Sequence, residues 1–301
     1  MCAKLINIVK HTVFFIRYII EFIFLVLFFV ICILFGFKIS SCFGGYFMNL
    51  FRFIPKISAR VTNNLRHVYP LMEEEFVQSL SKKIFFTTGR MVGETPHFFV
   101  KKWSRLQKYV QVENHEIIED YIKNNESIII ITGHFGNWWF ITKFIEYLKI
   151  PLYSIYRRQN NPLIDFFVHN ASYGKNLRKN TGQIKEVVKI VLKKGNALSV
   201  FADHRDINGI PMPFLGKDAM TSIFFAKIAC KYNIPVIYVS CLRKKNKPTE
   251  FVMKFQTIRH KDDDRFTPET LAQAANDQFS LDISENREQW FWLHKRWKMK
   301  K

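Results

Sequence analysis

The chain has 301 residues, 48% of them hydrophobic, enough for one large or two modest domains with a substantial core. Its five cysteines are odd in number and show no metal-ligand spacing, which argues against both a disulfide framework and zinc. A formal charge of +20 raises nucleic acid as a partner. No zinc-finger spacing, helix-turn-helix signature or ribonucleoprotein-type aromatic motif accompanies it, so no nucleic acid is expected and anionic lipid headgroups fit better.

The first element is a membrane anchor. Phe22 to Phe37 is a run of sixteen apolar residues without a charge, and extension back to Thr12 supplies the roughly twenty residues a bilayer requires. Arg17 and Glu21 lie one helical turn apart within it, placed to pair or to snorkel. The run continues into Phe35-Gly36-Phe37-Lys38 with no small-residue cleavage site, so an uncleaved anchor over residues 1–40 is expected rather than a signal peptide. Residues 41–56 mix aromatics with Gly44, Gly45 and Arg52 and suit a membrane-surface segment. Most of the positive charge follows the anchor, and the positive-inside bias puts the globular part, residues 57–301, in the cytoplasm.

Residues 57–123 read as mostly helical. Ser127 to Thr132, with four consecutive isoleucines, reads as a buried strand, and Phe135 to Leu148 as an amphipathic helix. Further strands are expected at Leu152–Tyr156, Ala197–Ala202, Pro235–Cys241 and Phe251–Ile258, and helices from Leu163, over Ile184–Lys194 and over Ser222–Tyr232. The alternation predicts an α/β domain.

His134 follows the isoleucine strand through Gly133, so it sits at a strand's carboxyl end, where open α/β sheets build their sites. There it can act as general base, taking a proton from an alcohol that attacks a thioester carbonyl. A lone histidine at a turn more often only satisfies backbone groups, and its helper decides the matter: a carboxylate that fixes the tautomer and stabilises the imidazolium. Trp139, five residues on, cannot help, because an indole offers one donor and no acceptor. Asp203 is read either as a site residue at a strand end or as a cap for the turn before Gly209. The sequence His115-Glu116-Ile117-Ile118-Glu119-Asp120 repeats a His–acid spacing, but it lacks the glycine turn and reads as a solvated helix face.

The ordered set of motifs carries a resemblance. Asn64-Leu65 to Tyr69-Pro70, Gly89-Arg90 with Glu94, Gly133 to Trp138, Tyr156-Arg157 with Asn161-Pro162-Leu163-Ile164-Asp165, and Gly195 follow one another. Phe201 to Asp206, Pro213-Phe214-Leu215-Gly216 leading to Thr221, and Glu288 to Lys298 complete the series. Over nearly its whole length the chain resembles the late lipid A biosynthesis acyltransferases, a membrane-tethered branch of the glycerolipid acyltransferase superfamily. The resemblance implies a single globular α/β acyltransferase domain, with a mixed central sheet flanked by helices, behind an N-terminal transmembrane helix. It implies transfer of a fatty acyl chain from acyl carrier protein to a hydroxyl of a Kdo-bearing lipid A precursor, at the cytoplasmic face of a bacterial inner membrane. His134 is then the catalytic base. Arg157, Arg158, Asp203, Lys217 and Thr221 are candidate substrate contacts, the cations suiting phosphate or phosphopantetheine oxygens. Neither a metal nor a cofactor beyond the carrier thioester is expected.

The chain departs from the family pattern at Trp139, which stands where the motif has an acid, so either Asp203 or Asp206 serves His134 or the protein is a catalytically inactive relative that binds glycolipid or acyl carrier protein. Relatives also carry an arginine between Asp165 and Asn176, a place that Lys175 or His169 would take here.

Overall fold

The computed structural model describes residues 2–156, 158–178 and 183–298. Helix α1 (Cys2–Asn49) breaks at Gly36, whose φ of +74° ends one helical segment and starts another. Among the described residues it is the one helix long and apolar enough to cross a membrane. The segment after Gly36 packs along α3 (Glu74–Val100), and the helices touch backbone to backbone. A Cβ placed on Gly93 would lie 2.0 Å from the Ser40 carbonyl oxygen, and one on Gly89 would lie 2.3 Å from that of Gly44. Between them, after a short 3-10 turn, α2 (Pro55–Val68) begins with proline at its first turn, where the missing N–H is not needed.

The rest of the chain alternates. After α4 (Trp103–Leu106) come β1 (Val110–Glu113), α5 (Glu116–Lys123), β2 (Ile128–Thr132), α6 (Trp139–Tyr147), β3 (Leu152–Tyr156) and α7 (Pro162–Ala171). Next are β4 (Lys175–Arg178), α8 (Gln183–Leu192), β5 (Ala197–Phe201), β6 (Ile210–Phe214), β7 (Lys217–Thr221) and α9 (Phe224–Tyr232). The last elements are β8 (Val236–Lys244), β9 (Lys247–Arg259) and α10 (Pro268–Glu285), followed by a C-terminal segment without regular structure beyond one 3-10 turn.

Seven strands form a mixed sheet in the order β1-β9-β8-β2-β5-β3-β4, with β8 and β9 antiparallel and the other pairings parallel. Strand β2 lies at its centre, and its four isoleucines are buried because both faces of the sheet are covered. Ile129 and Ile131 join the core layer that includes α2, α9 and α10, whereas Ile128 and Ile130 join the layer under α6 with Phe37 of the anchor helix. Strands β6 and β7 form a separate antiparallel hairpin.

Where expectation and structure differ, the reasons are local. The helix expected from Phe135 starts only at Trp139, because Gly136 takes φ +58° and the Asn137 N–H turns to the Cys241 carbonyl oxygen. The stretch 57–123, expected to be mostly helical, also contains β1, a four-residue edge strand held by β9. Periodicity does not announce the β6–β7 hairpin, β4 or α10. Residues 41–49 of the segment assigned to the membrane surface continue α1, and there Ser41 and Gly44 are buried against α3.

Below this packing lies one buried carboxylate. Glu94 of α3 accepts from Ser41 Oγ at 2.6 Å, Asn137 Nδ2 at 2.8 Å, and Arg243 Nη1 and Nη2 at 2.7 and 3.0 Å. Both Glu94 and Arg243 are nearly or fully removed from solvent. Glu94→Ala would strand the Arg243 guanidinium, and a loss of about 3–5 kcal/mol of stability is expected. Denaturant unfolding in detergent measures it. Glu94→Ala combined with Arg243→Met should recover part of the loss, and a single variant as stable as wild type contradicts this account.

Candidate active site

Strands β2 and β5 pair in parallel with Thr132 opposite Phe201. His134 and Asp203 therefore each lie two residues beyond a matched pair, at the same end of adjacent strands. The pairing continues past the ladder, since the Ala202 N–H bonds to the Thr132 carbonyl oxygen. Strand register thus brings together two residues 69 apart in sequence.

The carboxylate that Trp139 does not provide is Asp203. Its Oδ1 lies 2.8 Å from His134 Nδ1, and its Oδ2 accepts the His134 backbone N–H at 2.7 Å and the Trp290 indole N–H at 2.8 Å. Gripping both the ring and the backbone of His134, it holds the imidazole with Nδ1–H towards the acid and leaves Nε2 for chemistry. Asp203 is fully buried, whereas the His134 side chain keeps 25% exposure. Burial alone would push the Asp203 carboxyl up, but its ion pair and hydrogen bonds with His134 outweigh this and hold it well below the usual carboxylate range. Asp206 acts on the loop instead. Its carboxylate accepts the Asn208 N–H and its carbonyl oxygen accepts the Gly209 N–H. The turn before Gly209 is thus closed by Asp206 rather than by Asp203.

Trp139 opens α6, its N–H held by Asn137 Oδ1 at 3.2 Å. Its indole meets the Phe99 ring edge-on at 5.1 Å, and Phe99 stacks on Phe29 of the anchor helix. The position where the motif has an acid is therefore an aromatic contact that leads to α1 through Phe99.

The C-terminal segment, legible in the sequence only as a motif, closes the site. The Phe291 N–H bonds to the His134 carbonyl oxygen, and Trp290 bridges to Phe135. The His294 ring stands perpendicular to that of His134, with ring centres 4.7 Å apart. Burial first, and the neighbouring His134 second, push the His294 imidazole down to about 3. Beyond the Glu288 to Lys298 motif, the density of aromatic and basic residues from Trp290 to Trp297 marks this segment in the sequence. His134, Asp203 and His294 bring one donor atom each within 4.8 Å of one another, the one group of three such donors among the described residues. Both Asp203 oxygens already accept N–H donors, Oδ1 from the His134 ring and Oδ2 from the His134 backbone and the Trp290 indole.

The other expected contacts are dispersed. Thr221 is buried, and its hydroxyl accepts from Arg296 Nη2 at 2.8 Å and Asn276 Nδ2 at 3.2 Å. Those bonds tie the end of β7 to α10 and to the C-terminal segment. Lys217 sits at the turn of the β6–β7 hairpin, away from the end where Thr221 pairs with Ile210. Arg158 is largely exposed and lies 3.4 Å from Asp165. Arg157 lies outside the described residues. His115 and Glu116 stand exposed at the start of α5, as a solvated helix face would.

A helix long and apolar enough to cross a membrane precedes a mixed α/β sheet, in which a histidine and a buried aspartate are joined at the ends of two parallel strands. The chain belongs to the bacterial lipid A biosynthesis acyltransferase family, whose sequence profile it matches over residues 7–299. Comparison with curated proteins gives no match.

Two outcomes follow from this geometry. Trp139→Glu should not raise activity and should lower stability, since it removes the Phe99 contact and places a carboxylate among aromatic rings; turnover seen only in that variant would remove Asp203 from its assigned place. The second concerns pH. An unfolded imidazole titrates near 6.5, whereas His294 and the buried His97 are pushed down to about 3 and about 4, mainly by burial. The folded state therefore binds fewer protons below about pH 6.5, and stability is complete above that value. It falls by up to roughly 1.4 kcal/mol per pH unit for each histidine as the pH drops towards their folded values. Thermal unfolding between about pH 7 and about pH 5 checks the slope, and a flat profile overturns it.

Proposed function

We propose that this protein is an active acyltransferase, moving a fatty acyl chain from an acyl carrier protein thioester to a hydroxyl of a Kdo-bearing lipid A precursor. The observation that carries the reading is the 2.8 Å contact between His134 Nδ1 and the ionised, fully buried Asp203. In the reaction His134 Nε2 takes the proton of the acceptor hydroxyl as its oxygen attacks the thioester carbon. Asp203 stabilises the imidazolium without taking its proton. The C–O bond forms, the C–S bond breaks, and the proton held by His134 passes to the departing thiolate. No metal or cofactor beyond the co-substrate enters these steps.

The apolar helix would hold the domain at the inner membrane, with the globular part on the cytoplasmic side where the carrier thioester is found. The net charge of +20 suits both an acidic carrier and a phosphorylated glycolipid. Arg157, Arg158 and Lys217 are the cations we assign to phosphate oxygens. The competing reading, an inactive relative that binds glycolipid or carrier without turnover, rests on Trp139. Asp203 weakens it, because the carboxylate lost from the helix is present at the strand end.

Purified wild type in detergent, given acyl carrier thioester and lipid A precursor, should form acylated product detectable by mass spectrometry. His134→Ala and Asp203→Asn should each lower kcat/KM by roughly 10²–10⁴-fold. Combined, they should cost little more than either alone, as for groups acting as one unit. A wild type without turnover, or a His134→Ala variant with wild-type rates, would overturn the proposal.

A further inference from the structure

Acyl transfer leaves a second demand that the pair does not meet. As the hydroxyl oxygen attacks, negative charge gathers on the carbonyl oxygen, and removing a donor aimed at that oxygen typically costs 10²–10³-fold in rate. The turn that carries His134 would be the obvious source of backbone donors, yet much of it is committed. The N–H groups of His134, Gly136, Asn137 and Trp139 bond to Asp203, to the Gln289 and Cys241 carbonyl oxygens, and to Asn137 Oδ1 respectively. The buried guanidinium groups beside the site are committed as well, Arg243 to Glu94 and Arg296 to the Met220 carbonyl oxygen and Thr221.

One polar side chain at the pair stands apart. His294 Nε2 is shielded from solvent and has no hydrogen-bond partner among the described residues. Native folds seldom keep such an atom without a reason. Its backbone is fixed, the N–H bonding to the Phe291 carbonyl oxygen and the carbonyl oxygen accepting Asn64 Nδ2 at 2.7 Å. The residue as a whole stays partly open to solvent, and its ring centre lies 4.7 Å from that of His134. A carbonyl brought to His134 therefore arrives beside the His294 imidazole, and rotation about its Cβ–Cγ bond presents either nitrogen.

We propose that His294 is a catalytic residue that donates a ring N–H to the oxygen of the transferred acyl group as that oxygen becomes negative. The inference rests on the acyl-transfer reading above. His294 keeps its proton throughout, so the proton path through His134 is unchanged. Burial keeps the ring neutral, and a neutral imidazole donates one N–H without placing a second cation against the imidazolium of His134.

Three proteins test this: wild type, His294→Phe, which keeps an aromatic ring against Phe291 and Trp290, and His294→Gln, which restores an N–H near the Nε2 position. Turnover in His294→Phe should fall by roughly 10²–10³-fold in kcat with KM little changed, and His294→Gln should recover at least about tenfold of that loss. A readout independent of turnover is the infrared carbonyl stretch of a bound acyl-pantetheine ketone, a 13C-labelled analogue with CH2 in place of the thioester sulfur. The stretch should lie lower in wild type and in His294→Gln than in His294→Phe. Equal frequencies in all three proteins, or wild-type kcat in His294→Phe, overturn the role of His294. A lowered frequency in a wild type that forms no product leaves the hydrogen bond from His294 to the carbonyl standing but overturns the acyl-transfer reading, and with it the catalytic role of His294.

Discussion

The architecture depends on the way Glu94 is satisfied. An ionised carboxylate removed from water costs several kcal/mol unless its lone pairs are met. Glu94 meets that cost with donors from three separate places: Ser41 on the anchor helix, Asn137 in the turn after β2, and Arg243 near the end of β8. The carboxylate is compensated only when the anchor helix, the α3 helix, the turn and the sheet are in register together. Gln289 extends the constraint to the C-terminal segment. Its side chain bonds to the backbone N–H and carbonyl oxygen of Arg243, and its own carbonyl oxygen takes the Gly136 N–H. The loop that presents His134 is thus held from both sides. Gly136 is needed there, because a Cβ at that position would lie 1.9 Å from the Cys241 carbonyl oxygen.

A second carboxylate, Asp203, holds His134 in place as Glu94 holds the packing. Three N–H groups meet it, two from His134 and one from Trp290. The indole matters because it comes from the far end of the chain, so closure of the C-terminal segment and orientation of the pair are one event. Arg296 secures the same segment on its other side, fully buried over the Phe214 ring at 4.4 Å with its guanidinium on Met220, Thr221 and Asn276. Burial lowers its pKa to about 10, which leaves it charged at neutral pH and able to hold those carbonyl and hydroxyl oxygens.

How much of this could be read from the chain varies with the range of the interactions. Strands β2, β5 and β8 were legible as largely apolar, mostly buried runs, and the N-terminal apolar helix because nothing else in the chain places so many apolar residues together. The hairpin of β6 and β7 was hidden, since Pro211 and Pro213 alternate with Met212 in a segment that reads as a turn-rich loop. Strands β1 and β4, four residues each, owe their conformation to β9 and β3 rather than to their own composition. His134 was legible from its glycine turn. Its pairing with Asp203 was not, for it depends on the register of two strands, and an alignment of one residue more or less would have left Asp203 capping a loop. His294 lay further out of reach, because its place is set by a segment whose fold is dictated by contacts with α2, the turn and the hairpin.

Trp139 takes on a different meaning in this setting. An acid at that position would have to reach back from the first turn of α6, whereas Asp203 approaches along the sheet and grips His134 at both backbone and ring, so its separation from Nδ1 is fixed by strand pairing. With the carboxylate supplied from the end of β5, the start of α6 is free to be apolar, and it is used for contact with the anchor. Trp139 meets Phe99, Phe99 stacks on Phe29, and Phe167 of α7 packs edge-on against both phenylalanines. Each such pair contributes about 0.5–1.5 kcal/mol beyond its buried area. Asn161 adds a polar tie, its amide bonding to the Tyr18 carbonyl oxygen and to Glu21 while its oxygen caps α7. Trp139, standing where the motif has an acid, therefore joins the helix after the His134 turn to α1. The distance between His134 Nδ1 and Asp203 is set instead by the pairing of β2 with β5, so the apolar link at Trp139 and the polar pair are held by separate sets of contacts.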